Sequence, residues 1–279
     1  MRMFLGTKMR PVIRAVALTM FFPLLGFLVC FIVEMVFEIE IPRTISAIIN
    51  FVIAAFAAFH LFPQVLGIPF GKVKTRDFTT GIGFYLPRDV WKHVLLGVVL
   101  AVCTLSGMLV ASVLSGTYVM DFSTITFEQA VFSLNPGIWE EVFYRGVLLM
   151  ILLPLTKSIK RAAVVQIVIF GLAHVKDFTL LALVDVVSVM ILAIGFTYTA
   201  YKTHSLIAGI VLHYLHDTLL FFVQPSGGVT GVAATILFFA LLWLMVGVGC
   251  WVTKFAAEKL KVRAAIELYT LAPSDEATS

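Results

Sequence analysis

Glu140-Glu141-Val142-Phe143-Tyr144-Arg145-Gly146-Val147-Leu148-Leu149-Met150-Ile151-Leu152-Leu153 puts two carboxylates and a guanidinium at the head of an unbroken apolar run. Each ionised side chain at the middle of a membrane helix costs about 2.5–3.5 kcal/mol on insertion scales. Three of them this close together require a reason, and the expectation is a hydrolytic site inside the bilayer. The medium follows from composition. Of 279 residues, 61% are hydrophobic and 13% charged, whereas soluble domains are about a quarter charged. Only helices and closed barrels satisfy the backbone in lipid. The apolar runs here are long and continuous, which excludes the short alternating segments of a barrel. The expected fold class is therefore all-α, a polytopic integral membrane protein with about eight transmembrane helices.

Working outward from that stretch, the candidate spans are 11–37, 45–70, 92–114, 127–155, 159–175, 178–201, 205–223 and 229–255. The fourth is expected to break at Asn135-Pro136-Gly137, because proline removes a helix donor and glycine loosens the turn. The first run follows Arg2, Lys8, Arg10 and Arg14 and is too long for a signal-peptide core, so it reads as a retained span. The spans form one domain over residues 1–255. Residues 256–265 read as a basic amphipathic helix, and the end of the chain as a flexible tail.

Charge alternates between successive connections. Glu34, Glu38 and Glu40 flank the first, Lys72, Lys74, Arg76, Arg88 and Lys92 the second, and only Asp121 and Glu128 the third. Lys157, Lys160 and Arg161 mark the fourth, and Lys254, Lys259, Lys261 and Arg263 follow the last span. The positive-inside rule then places both termini and the even loops in the cytoplasm. The net charge of +4 is spread over these short clusters and suggests no nucleic-acid partner. Cys30, Cys103 and Cys250 lie inside apolar runs without metal-ligand spacing and read as small packing residues.

Three spans carry ionisable residues that can work together. Glu141 and Arg145 are i, i+4 on one helix face and can pair; Glu140 lies about 100° round the helix and is not explained by that pair. The fifth span ends in Phe170-Gly171-Leu172-Ala173-His174, and the seventh carries His213-Tyr214-Leu215-His216-Asp217. Counted from the inner boundary of each helix, Glu140, His174 and Asp217 stand at about one level, roughly 21 Å up. A glutamate against a histidine can orient a water and take its proton, and a second histidine with a carboxyl group can serve an oxyanion. The same set could hold a divalent metal such as Zn, and the sequence does not separate the two chemistries. A proton-coupled transporter using Glu140, His174 and Asp217 as a relay is the reading from another class. His60 and Asp185 read as packing or supporting residues, His93 and His204 as interfacial ones at span ends, and Gln166 has no assigned role.

Taken in order, Glu140-Glu141-x-x-x-Arg145, Phe170-x-x-x-His174 and His213-x-x-x-Asp217 resemble the three-motif signature of the CAAX prenyl protease and bacteriocin-processing family. The resemblance implies an eight-helix intramembrane endopeptidase whose eukaryotic members remove the last three residues of prenylated proteins. It implies that Glu140 activates water with His174, and that His213 and Asp217 stabilise the oxyanion. Glu141 and Arg145 are then supporting groups or contacts for a substrate carboxylate. Asp217 departs from the asparagine usual in the prenyl-protease branch. The implied partners are the lipid bilayer and a prenylated or hydrophobic peptide. A family member that processes another membrane peptide or confers bacteriocin immunity is the alternative.

Overall fold

The fold was obtained as a computed structural model, which describes residues 9–61, 75–116, 118–124, 126–175, 178–220, 223–225 and 232–262. Among these residues the regular elements are helices apart from one short strand pair. Helix α1 (Met9–Phe37) leads to α2 (Arg43–Phe56), which widens into a π-helical turn over Ala57–Leu61. A short α3 (Thr75–Gly81) precedes the long α4 (Val90–Ser115). Strand β1 (Tyr118–Met120) comes before α5 (Phe127–Asn135), a π-helix (Pro136–Leu148) and α6 (Leu149–Thr156). Then follow α7 (Ile159–Leu172), α8 (Leu180–Thr203), α9 (Ile207–Leu220), β2 (Val223–Pro225) and α10 (Val232–Lys259). Strands β1 and β2 pair antiparallel, Val119 opposite Gln224.

Among the described residues, four helical stretches are long and apolar enough to cross a membrane: Arg43–Leu61, Val90–Val110, Ala182–Thr203 and Ile236–Lys259. Leu25–Phe37 and Ile207–Leu220 are shorter apolar helices. The expected fifth and seventh spans are helices of only 14 residues, about 21 Å long against a hydrocarbon core of about 30 Å. Phe21, Phe31, Val52, Val164, Leu244 and Trp251 point outward and exposed, as side chains facing lipid do.

The fourth span does not break at Asn135-Pro136-Gly137. Asn135 and Pro136 keep right-handed helical angles, and the chain changes its hydrogen-bond pattern while remaining a helix. Proline inside an α-helix clashes with the carbonyl four residues back; a wider i→i+5 turn relieves the clash without unwinding the chain. The start of this segment is tied to its neighbours by buried amides. Asn135 Nδ2 donates to Ala47 O at 2.9 Å, and Asn50 Oδ1 accepts from the Gly26 N–H at 3.1 Å. At the other end of the chain, α10 runs through the expected domain boundary at residue 255 to Lys259. The rest of the expected tail, beyond 262, lies outside the described residues.

The bundle has two unlike ends. At one, the Leu206 N–H donates to Gly83 O at 2.9 Å and Lys202 stands 3.8 Å from Glu258. This end gathers Arg88, Lys157, Lys160, Arg161 and Lys259, and is called the basic end below. At the other, Arg43, Thr126 and Glu128 line a cavity of about 400 Å³, and the connections carry Glu38, Glu40 and Asp121. Helices α8 and α9 meet at the basic end through the turn at Thr203-Ser205, where Thr203 Oγ1 donates to Ser205 O. Thr197 Oγ1 donates to Gln166 Oε1 at 2.8 Å and sets α7 level with them. Because α7 and α9 are 14 residues and α8 is 24, the two short helices stop about 15 Å before α8 does at the acidic end. A recess follows from these unequal lengths.

Candidate active site

The recess is a cavity of about 430 Å³ whose wall includes Pro136, Glu140, His174, Asp185, His213 and Asp217. That volume is in the range of small-molecule and peptide sites. Four of these six are the sequence-predicted site residues, brought together from the π-helix, the end of α7 and the last turns of α9. Glu140 Oε2 is 3.8 Å from His174 Nε2 and 3.8 Å from His213 Nε2. Asp217 Oδ2 is 3.6 Å from His213 Nε2. These separations are too long for direct hydrogen bonds and short enough for one small group, such as a water, to touch two of the residues at once.

Each histidine is fixed from behind. His174 Nδ1–H donates to Phe170 O at 2.8 Å, which leaves Nε2 to face Glu140. His213 Nδ1–H donates to Glu141 Oε1 at 2.9 Å, and its ring stacks on Phe196 at 4.5 Å and 14°. The bond made by one ring nitrogen sets what the other can do. His216 Nδ1–H donates to Asp217 Oδ1 at 3.2 Å and so orients the carboxylate.

Behind this wall lies a second layer that meets no solvent. Glu141 and Arg145 are fully buried and form an ion pair of 3.1 Å. The guanidinium lies between two rings, 4.0 Å from the centre of Phe170 and 4.8 Å from that of Phe196, an arrangement that suits its flat, weakly hydrated cation. With no exposed surface, the pair is not on the cavity wall; Glu141 meets it through the 2.9 Å bond to His213. Two close approaches make room for the layer. A methyl group on Gly209 would stand 2.8 Å from Glu141 Oε2, and one on Gly137 would stand 3.2 Å from the Tyr214 backbone. Glycine is what lets α9 and the π-helix touch here.

The weaker candidates separate clearly. Asp185, expected to be a packing or supporting residue, is on the cavity wall, as is His216. His93 is 3% exposed, buried within the protein. The start of α4 is covered there by the cluster of Leu96, Ala208 and Ala257. His204 closes α8 in a left-handed conformation with φ 51°, and His60 stacks on Phe56 at 4.9 Å. Gln166 is the acceptor that joins α7 to α8. Phe196 was not singled out in the sequence. Its signal was hidden, because one more phenylalanine in an apolar helix carries no contrast.

The donor types around the cavity, two imidazole Nε2 atoms and two carboxylates, suit a divalent ion in kind, and both imidazoles have the outer hydrogen bond that metal-ligating histidines usually make. Among the described residues, no group of three is held at metal-ligand spacing.

The comparison with known families bears on the same segment. The family model for type II CAAX prenyl endopeptidase Rce1-like proteins matches residues 122–219, a stretch that contains all three motifs and nearly the whole cavity wall. No curated protein and no solved structure matches the chain. At the family level the segment is similar to that of a CAAX-protease-like intramembrane peptidase, and with the apolar helices it marks an integral membrane protein.

Proposed function

We propose that the protein is an intramembrane endopeptidase that hydrolyses a peptide bond with a water activated by Glu140 and His174. The observation that carries this reading is the convergence of Glu140 Oε2, His174 Nε2 and His213 Nε2 on one cavity while both Nδ1 atoms are tied back. Glu140 Oε2 has no hydrogen-bond partner among the described residues, so it has an oxygen to offer a water.

In this mechanism the water lies between Glu140 and His174. Glu140 takes one of its protons as the oxygen bonds to the scissile carbonyl carbon. The carbonyl oxygen gains the negative charge and is held by His213, which serves as a donor when both ring nitrogens carry protons. Asp217, oriented by His216, holds the His213 side of the site. Glu140 then delivers its proton to the amide nitrogen as the C–N bond breaks, which releases an amine and a carboxylic acid. A divalent metal such as Zn would supply a bound water of lowered pKa, but no three of Glu140, His174, His213 and Asp217 stand at metal-ligand spacing. The substrate class is a prenylated or otherwise hydrophobic peptide delivered by the bilayer. The chain crosses the membrane about eight times with both termini in the cytoplasm, the charge alternation along the sequence supporting this topology.

The test is hydrolysis of hydrophobic, C-terminally farnesylated fluorogenic peptides by purified protein. Loss of turnover in Glu140→Gln and His174→Ala, with folding retained, supports the assignment. Full turnover in Glu140→Gln rejects it.

A further inference from the structure

We propose that a groove between α6, α7 and α8 at the basic end binds one phospholipid with an anionic headgroup. Its phosphate meets Lys160, and an acyl chain runs inward to Ile167 and Ile194. This goes beyond the peptidase reading and does not depend on it.

The groove is a cavity of about 200 Å³, and two helix faces make most of it. Lys160, Ala163 and Ile167 follow one another at i, i+3 and i+7 along α7. Ile194, Tyr198 and Tyr201 do so at i, i+4 and i+7 along α8, so each helix contributes one stripe. Helix α7 begins at the basic end and α8 finishes there, which puts Lys160 and Tyr201 at the mouth. Ile167 and Ile194 each lie a further two turns in, about 10 Å deeper. Leu149, at the far end of α6 from Lys157, adds to the inner wall.

That order, a cation and a phenol at the mouth with hydrocarbon within, is the order of a phospholipid. An ammonium on a flexible stem meets a phosphate as a point charge. Tyrosine stands at headgroup level, with its ring in the apolar layer and its hydroxyl outside it. Basic pockets between membrane helices take anionic headgroups in this way. Lys157 and Arg161, exposed at the same end, reinforce the sign of the field. Val164, Ile194 and Tyr201 are exposed on the same two helices, so the groove opens where acyl chains are at hand. A zwitterionic headgroup would bring its own cation towards Lys160, and a bare phosphate would leave the apolar wall unfilled. Thr197, whose hydroxyl joins α8 to α7 through Gln166, is also on the wall, so the bound chain packs against the seam between these helices.

The experiment titrates the purified protein in detergent with dioleoyl phosphatidylglycerol, dioleoyl phosphatidylcholine or glycerol 3-phosphate, and reads bound adducts by native mass spectrometry. One phosphatidylglycerol is expected to bind about fivefold more tightly than phosphatidylcholine, and glycerol 3-phosphate not at all over the same range. In Lys160→Gln the preference falls towards unity. In Arg161→Gln, which removes a charge at the same end but outside the groove wall, it is retained. Ala163→Phe fills the groove and abolishes the tight adduct; if that variant does not fold, the comparison of Lys160→Gln with Arg161→Gln decides. Equal binding of the two lipids, or equal losses in Lys160→Gln and Arg161→Gln, overturns the proposal, the latter because it marks a general surface charge. Binding of glycerol 3-phosphate as tight as that of phosphatidylglycerol overturns it too, as does a folded Ala163→Phe that keeps the adduct.

Discussion

Glu140 and Glu141 are adjacent in the chain and live in different media. Glu141 has no exposed surface, and one of its oxygens is shared by Arg145 at 3.1 Å and His213 at 2.9 Å. Glu140 stands on the cavity wall with 18% of its side chain exposed, two imidazole nitrogens at 3.8 Å and an oxygen without a hydrogen bond among the described residues. A charge sealed in a bundle persists only where partners compensate its lost hydration, so the surroundings of Glu141 are those of a structural anchor. A carboxylate left short of partners at a cavity is poised to bind something. The motif therefore contains two devices that share a helix turn, and they are separable by experiment.

The widest separation is in turnover. Glu140→Gln keeps the shape and removes the base, and hydrolysis is expected to fall roughly 10²–10⁴-fold with no change in the thermal midpoint in detergent. Glu141→Gln is expected to act first on stability. Removing one partner of a buried ion pair costs about 3–5 kcal/mol, which a thermal melt or the yield of folded protein would register. Pairing it with Arg145→Met removes the stranded cation, and the double variant should be more stable than Glu141→Gln alone. If the two glutamine variants melt alike and lose activity alike, the distinction between the neighbours is wrong.

A milder change probes the link between the layers. In Gly209→Ala the new methyl group must displace Glu141 Oε2, which it would otherwise meet at 2.8 Å. Overpacking of this kind costs about 1–3 kcal/mol. Because Glu141 carries His213, the displacement should also appear as a lower kcat with little change in KM, since a misplacement of about 1 Å in a catalytic group can cost roughly 10²-fold. A stability loss with kcat intact would show that Glu141 does not position His213.

The contrast between neighbours was only half legible in the sequence. The i, i+4 spacing of Glu141 and Arg145, of Phe170 and His174 and of His213 and Asp217 follows from helix periodicity, and it put the polar residues on common faces. What spacing could not show was the conversion of Pro136–Leu148 to a π-helix. That depends on how the Pro136 clash is relieved against α9 and α2. Nor could it show which glutamate reached His213 Nδ1. Asp185 has no charged residue four positions away in the sequence and so looked incidental; the fold brings it to the cavity wall. The apolar runs were legible as helices but their lengths were not: the fifth and seventh form helices of 14 residues, and the recess at the site depends on those short ends.

The smallest effect comes from a pair buried as deeply as Glu141 but remote from the chemistry. Thr197 Oγ1 donates to Gln166 Oε1 at 2.8 Å between α8 and α7, and both residues are buried. Thr197→Val keeps the volume and removes the donor. Interhelical hydrogen bonds in membrane bundles are worth roughly 0.6 kcal/mol on average, because chains unfolded in the membrane also find partners. The expected outcome is a slight fall in the thermal midpoint and unaltered peptide turnover. The value of the measurement is as a calibration. If Thr197→Val lowers turnover as strongly as Gly209→Ala does, then any buried polar change in α8 reaches the site, and the effect of Gly209→Ala says nothing particular about His213. If it leaves turnover alone, burial by itself is not what ties Glu141 to the active residues. The tie is then the 2.9 Å bond to the imidazole.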